Sequence, residues 1–226
     1  MKKILYLLSS LCLLSCNYIT SNTSNNTTPT TGTLNGHDWV DLDLSVKWAT
    51  CNVGANSPSD YGDYFAWGEI STKKSYTYRN CYDCIDSFNW NRKSAWRTYN
   101  SSGRIMIKEK SGHDAAQENW GGSWRMPSDE EIDELCKYCT WKWTSQNGHK
   151  GYLVTGQNGN SIFLPAAGFC YYSDVDRKES EGYYWSNTLG LNENSFIARS
   201  LIIKGSKFEL SGASRAYGCS IRPVTE

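Results

Sequence analysis

The chain has no net charge: 23 Lys and Arg stand against 23 Asp and Glu. A nucleic-acid partner would favour a basic surface, so that balance argues against DNA or RNA. A second long apolar run is missing, and after Leu14 no stretch approaches the length of a membrane-spanning helix. Histidine is scarce. His37, His113 and His149 are scattered without metal-ligand spacing, and each reads as a surface or loop residue. No G-x-S-x-G nucleophile elbow appears, so a serine triad has no natural seat. These gaps leave little for metal or serine chemistry, and no cofactor is expected.

What is present begins at the N-terminus. Lys2 and Lys3 precede an apolar stretch from Ile4 to Leu14, broken only by Ser9 and Ser10. That length suits the core of a secretory signal and is too short to span a bilayer. Leu13-Leu14-Ser15-Cys16 follows. It resembles the lipobox of bacterial lipoproteins, in which the Cys thiol is acylated and becomes the new N-terminus. Leu14 stands where that pattern takes a smaller residue. The resemblance implies membrane attachment through Cys16, where each buried methylene adds about 0.8 kcal/mol. Asn17 to Gly36, almost all Asn, Ser and Thr and free of charge, reads as a flexible polar tether.

From His37 to Glu226 the chain is long enough for one domain with its own core. Ten Trp and fifteen Tyr are unusual, and most must be buried, because a domain of this size cannot expose so many. Short strands are expected at Trp39 to Leu42, Val46 to Cys51 and Tyr64 to Trp67. Residues 70–111 show no sustained period and read as a long functional or partly mobile loop. His113 to Trp120 suits a short helix. Ser128-Asp129-Glu130-Glu131 is a capping box, and Ile132, Leu135, Cys136 and Cys139 then share one helical face. Tyr152 to Thr155 and Ser161 to Leu164 read as a hairpin around Gly156 to Gly159. Tyr183 to Asn187, Phe196 to Ile203, Lys207 to Leu210 and Cys219 to Arg222 finish the chain as strands. The fold class is α+β, with many short strands and one or two helices.

Five short motifs in order are similar to the Fibrobacter-type major paralogous domain, which is abundant in lipoproteins of the Bacteroidota. They are Trp39-Val40-Asp41-Leu42 with Leu44 to Ala49, Trp120 to Pro127, Leu164 to Gly168, Gly182 to Ser186, and Ser220 to Val224. The resemblance implies a C-type-lectin-like fold, shared with formylglycine-generating enzymes and variable receptor proteins, and says little about activity. Within it, Arg125 and Arg222 read as structural forks paired to buried carboxylates or carbonyls.

The cysteines are the next candidates for chemistry. Of nine Cys, setting aside Cys12 and Cys16 leaves seven. Cys81-Tyr82-Asp83-Cys84 and Cys136-Lys137-Tyr138-Cys139 are both C-x-x-C, yet they lie far apart for a zinc ribbon, and the second sits on a helix. An odd count leaves at least one thiol free. The close C-terminal cysteine pair of formylglycine-generating enzymes is not matched, since only Cys219 stands there. The tripeptides of calcium-dependent lectins are also missing. Asp174, Asp176, Glu179 and Glu181 could suit calcium, but with Arg177 and Lys178 between them they read as a solvated acidic loop.

A non-catalytic binding module for a glycan or protein ligand is the expectation that remains, with an envelope or fimbria-associated subunit as its rival. An oxidoreductase relative of the formylglycine-generating enzymes is a more distant third. In the fold that the resemblance implies, the later strands and their loops often build the ligand surface. The candidates there are Tyr171, Tyr172, Tyr183, Tyr184, Asn192, Asn194, Arg199 and Tyr217. Trp185 is expected in the core. Outer-membrane attachment is expected. Asn17 to His37 lacks the acids that mark surface export, so the outer and periplasmic faces both stay open.

Overall fold

The computed structural model describes residues 30–82, 84, 96–190 and 196–226. Early strands are β1 (Thr31–Leu34), β2 (His37–Val40), β3 (Lys47–Ala49), β4 (Arg97–Tyr99) and β5 (Ile105–Ile107). Helices α1 (Ala115–Trp120) and α2 (Asp129–Tyr138) follow. Then come β6 (Thr140–Gln146), β7 (His149–Thr155), β8 (Ser161–Pro165), β9 (Phe169–Tyr171) and β10 (Asp174–Asp176). The chain closes with β11 (Glu181–Leu189), β12 (Ile197–Lys204), β13 (Lys207–Ser214) and β14 (Val224–Thr225). The fold is mostly β with two short helices among the described residues, and it leans to α+β as expected. None of the described helices is long and apolar enough to cross a membrane.

The largest sheet has the order β13-β12-β11-β5-β4, and a second runs β1-β2-β3-β14. β6, β7 and β8 form a meander, and β9 with β10 a small hairpin. β11 divides the core. Its Trp185 faces a cluster with Trp67, Trp96, Trp120 and Trp124. Its Tyr184, one residue earlier and so on the opposite face, joins Trp48, Ile132, Leu135 and Leu201. Trp48, Trp67, Trp124 and Trp185 are fully buried. Buried indoles need partners; Trp185 Nε1 donates to the Phe65 carbonyl at 2.7 Å and Trp67 Nε1 to that of Ser186 at 2.9 Å.

α2 starts as its sequence dictates. Ser128 Oγ accepts from the Glu131 amide, and Glu131 Oε2 accepts from the Ser128 amide, so two orphan donors are satisfied reciprocally. Arg125 grips the same carboxylate with both ends of its fork, at 2.8 and 2.6 Å. Ile132 and Leu135 are buried against the large sheet, while Cys136 and Cys139 pack at its margin. Arg222 is fully buried and donates to Asn52 Oδ1 and to the carbonyls of Ala49, Thr50 and Phe163. Both arginines are structural forks, as expected.

The structure corrects four expectations. Residues 31–34, assigned to the tether, form β1, which pairs with β2 from Thr31↔Val40 to Leu34↔His37. The reason is tertiary. Gly32 leaves room for the Trp39 ring, which a Cβ would meet at 2.5 Å, and the Leu34 carbonyl accepts from Trp124 Nε1 at 2.9 Å. The long loop at 70–111 contains the hairpin β4–β5, set on the edge of the large sheet by Thr188↔Met106. β6 lies where no strand was expected. Trp141 and Trp143 alternate inward on it and meet Tyr152 and Phe208. Tyr64 to Trp67 and Cys219 to Arg222 are not strands; they touch through isolated bridges such as Phe65↔Cys219. The hairpin β7–β8 and the strands β11 to β13 stand where the pattern puts them.

Candidate functional site

Five rings form a continuous run along the surface next to the Trp185 cluster. Tyr183 of β11 meets Phe169 of β9 at 4.8 Å between centroids, and Phe169 stacks on Tyr217 at 4.8 Å. Tyr217 meets Tyr171 at 5.2 Å, and Tyr171 meets Tyr172 at 4.5 Å. Strand geometry sets this up. Phe169 and Tyr171 lie two apart on β9 and share a face, while Cys170 between them turns inward and is buried. The bridge Cys170↔Gly218 then brings Tyr217 alongside Tyr171. Gly218 is needed for that approach, since a Cβ there would come within 2.8 Å of the Tyr76 ring.

Tyr172 is the most exposed ring of the run, at 54%. It occupies the two-residue loop between β9 and β10 with φ +53°, in the left-handed region that favours Gly or Asn. Two backbone hydrogen bonds to Tyr76, of 2.7 and 2.9 Å, hold it there. The hairpin turn demands this conformation, which is costly for a bulky residue. Beside the run stand Tyr78 and Phe196, whose rings meet edge to face at 6.2 Å. Tyr78 Oη also receives the Ser214 hydroxyl at 3.1 Å.

The phenols influence one another. The Tyr171 phenol is raised above its ordinary value, first by its hydrogen bond to Tyr172, then by burial and by Tyr217 and Tyr78. Burial raises that of Tyr217, with Tyr78, Cys219 and Asp176 adding to it. Tyr183 is raised by burial and by its bond to Glu181, of 2.6 Å. Glu181 goes the other way. Against burial, Tyr183 and Arg177 hold its carboxyl below the usual range, and Arg177 reaches it at 2.6 Å.

Four of the eight expected residues, Tyr171, Tyr172, Tyr183 and Tyr217, are therefore brought together. Tyr184 is not. It is 2% exposed, packed among core residues, and its hydroxyl donates to the Pro165 carbonyl. Strand alternation forces this, because neighbours on β11 face opposite ways. Arg199 of β12 lies elsewhere, with Nε 3.8 Å from the buried Asp129 carboxylate that Arg104 also pairs with. Asn192, Asn194 and the lipidation candidate Cys16 lie outside the described residues. Phe169, Tyr78 and Phe196 belong to the surface and were not singled out in the sequence. Phe169 was legible as the same-face neighbour of Tyr171; Tyr78 joins through contacts distant in sequence.

The acidic loop divides its roles. Glu179 is held at the meeting of three segments: Tyr61 donates to it, His149 Nδ1 lies at 3.1 Å, and the Lys150 amide donates at 2.7 Å. Against burial, these bonds pull its carboxyl down to about 2. Asp174 and Asp176 are exposed. Among the described residues, no group of three or more His, Cys, Asp or Glu side chains could hold a metal ion. Cys81 and Cys84 are joined in a disulfide, while Cys51, Cys136, Cys139, Cys170 and Cys219 are free thiols. His37 stacks on Trp120, His113 on Trp96, and His149 meets Tyr61.

Comparison of the chain with models of known protein families, with curated proteins and with solved structures gave no match. The class that fold and site define is a mostly β domain with a half-buried aromatic run at its surface.

Proposed function

We propose that the chain is a lipoprotein attached to the outer membrane through Cys16, and that its domain is a non-catalytic binding or adhesion module for a glycan or protein ligand. The aromatic run from Tyr183 to Tyr172 carries this reading. Rigid tyrosines offer large contact area at low conformational cost and anchor binding surfaces. A C-type-lectin-like fold of the Fibrobacter-type major paralogous kind belongs to the same proposal. It is supported by the capped helix behind Trp124-Arg125-Met126-Pro127 and by the buried Arg222 of the closing motif. The thiols speak for a binding role over a redox one. Burial pushes Cys136 up to about 12 and Cys139 and Cys170 up to about 11, away from the thiolate that nucleophilic chemistry needs.

Glycan and protein arrays probed with the wild-type chain and with Tyr171→Ala and Tyr172→Ala test the binding reading. A ligand retained by wild type and lost by both variants is expected. Retention by both would move the site elsewhere on the molecule. Fractionation of Cys16→Ser cells tests the anchor: the protein should leave the membrane fraction or stay unprocessed, and an unchanged distribution and mass would sink it.

A further inference from the structure

The charges around the aromatic run narrow its ligand. In the β9–β10 hairpin Tyr171 pairs with Asp174 and Phe169 with Asp176. Directly paired residues of an antiparallel ladder project to the same side. Two exposed carboxylates therefore flank the rings, and Asp176 stands near enough to Tyr217 to raise its phenol. Among the described residues neither Asp174 nor Asp176 makes an ion pair or a side-chain hydrogen bond. The cations nearby pair elsewhere, although Arg177 also feels the charge of Asp176. Arg177 and Lys204 reach Glu181, and Lys178 lies 4.2 Å over the Tyr61 ring.

The rings meet one another, but no cation of the protein covers them among the described residues. Elsewhere the protein places its own cations over aromatic rings: Lys47 over Trp39, Lys73 over Tyr76, Arg97 over Trp96 and Lys137 over Tyr138. Among the described residues no such contact falls on Tyr183, Phe169, Tyr217, Tyr171 or Tyr172. Lys74 and Arg79, on the segment that carries Tyr78, likewise lie over none of these rings. The face thus combines electron-rich rings with two exposed carboxylates that make no ion pair among the described residues. Each attracts a cation, and together they do so at a partly desolvated surface.

We infer that the run Tyr217–Tyr171–Tyr172, with Asp174 and Asp176, is a docking site for a lysine- or arginine-bearing polypeptide segment. The inference rests on the binding reading above and narrows it to a protein ligand. The alkyl stem of Lys or Arg lies along tyrosine faces while its head meets the carboxylates. Tyr78 and Phe196, 46% and 41% exposed, supply an apolar margin suited to the rest of a peptide. Phosphate, sulfate and uronate ligands would meet two exposed carboxylates at this face, so anionic partners are disfavoured.

The test titrates the full chain with synthetic peptides of equal length that carry lysine, arginine, glutamate or no charge, and with neutral glycans, at low and high salt. Lysine and arginine peptides should bind, and salt should weaken them. Asp174→Asn with Asp176→Asn, both exposed and so neutral to the fold, should weaken binding about tenfold. Tyr172→Leu should weaken it while Tyr172→Phe, which keeps the ring, should not. Glutamate peptides binding equally well, or a Leu variant matching wild type, overturns the inference. Neutral glycans binding where cationic peptides do not would overturn it and leave the binding module standing. No binding by any probe would count against both.

Discussion

Arg222 Nε donates to Asn52 Oδ1 at 2.8 Å across 170 residues of chain. That bond, with three carbonyls on the same guanidinium, ties the closing segment to the turn after β3 and to β8. No carboxylate is among these partners, so burial lowers the basicity of the group, yet its donors are satisfied. Arg222→Met fills much of the volume and deserts all four acceptors. A buried acceptor left alone costs about 1–3 kcal/mol, so a total loss of about 3 kcal/mol or more is expected in urea denaturation. A loss below about 1 kcal/mol would show that water replaces the fork.

Asp114 sets a second expectation. It caps α1, accepting from the amides of Ala116, Gln117 and Met126. Burial nevertheless holds its carboxyl up to about 6, above its ordinary 3.8, against those donors. The folded state binds this proton more tightly than the unfolded state. Its contribution to stability is therefore complete below 3.8 and lost as pH rises through about 6. Denaturation midpoints followed from about pH 4 to pH 7 should fall over that window, and Asp114→Asn should flatten the trend. A midpoint that rises over the window in wild type and variant alike would contradict the assignment.

Glu179 behaves in the opposite sense. Its folded value of about 2 lies below the ordinary 4.5, so its contribution is present above 4.5 and lost as pH falls towards 2. The carboxylate is 38% exposed, which screens the effect. Glu179→Gln should cost about 0.5–1 kcal/mol near neutral pH and nothing near pH 2. Urea curves of the two proteins that stay separated at the acid end would refute this.

Tyr172 carries strain that another residue would relieve. Asn tolerates the left-handed region, so Tyr172→Asn should raise stability by about 0.5–1 kcal/mol. The same change removes the outermost ring and should weaken ligand binding. Calorimetry and a binding titration on one preparation check both at once. A variant that loses stability would mean that ring contacts outweigh backbone strain at this tip.

Legibility in the sequence followed the range of the interactions. The capped start of α2 needs only Ser128 and Glu131, three residues apart, and the hairpin β7–β8 only its turn and alternation, so both could be read directly. β1 could not, because its cause is a Trp39 ring resting on Gly32 and an indole from Trp124, which composition cannot reveal. β6 carries the period-2 signal of a strand in Trp141 and Trp143, but it follows the helix face at Cys139 directly, with no Gly or Pro to mark the boundary. In the site, Tyr171 and Tyr172 were found as neighbours and Tyr217 as part of the closing segment. Tyr184 was misassigned because doublets such as Tyr183-Tyr184 give no clue to which ring faces outward. Phe196 and Tyr78 meet only through the folded chain.

β1 has a mechanical meaning. It is the outer strand of its sheet, and its pairing with β2 begins at Thr31↔Val40, at the end away from the turn. Tension on the segment ahead of Thr31 would act on that end first and open the ladder one pair at a time. Pairs broken in sequence yield at lower force than pairs sheared together. Opening at Gly32 would uncover the Trp39 ring, and opening at Leu34 would release the Trp124 indole. Residues 31–34 would thus act as a fuse, lengthening under load and re-zipping when the load is removed, before β3 and β14 behind them are strained.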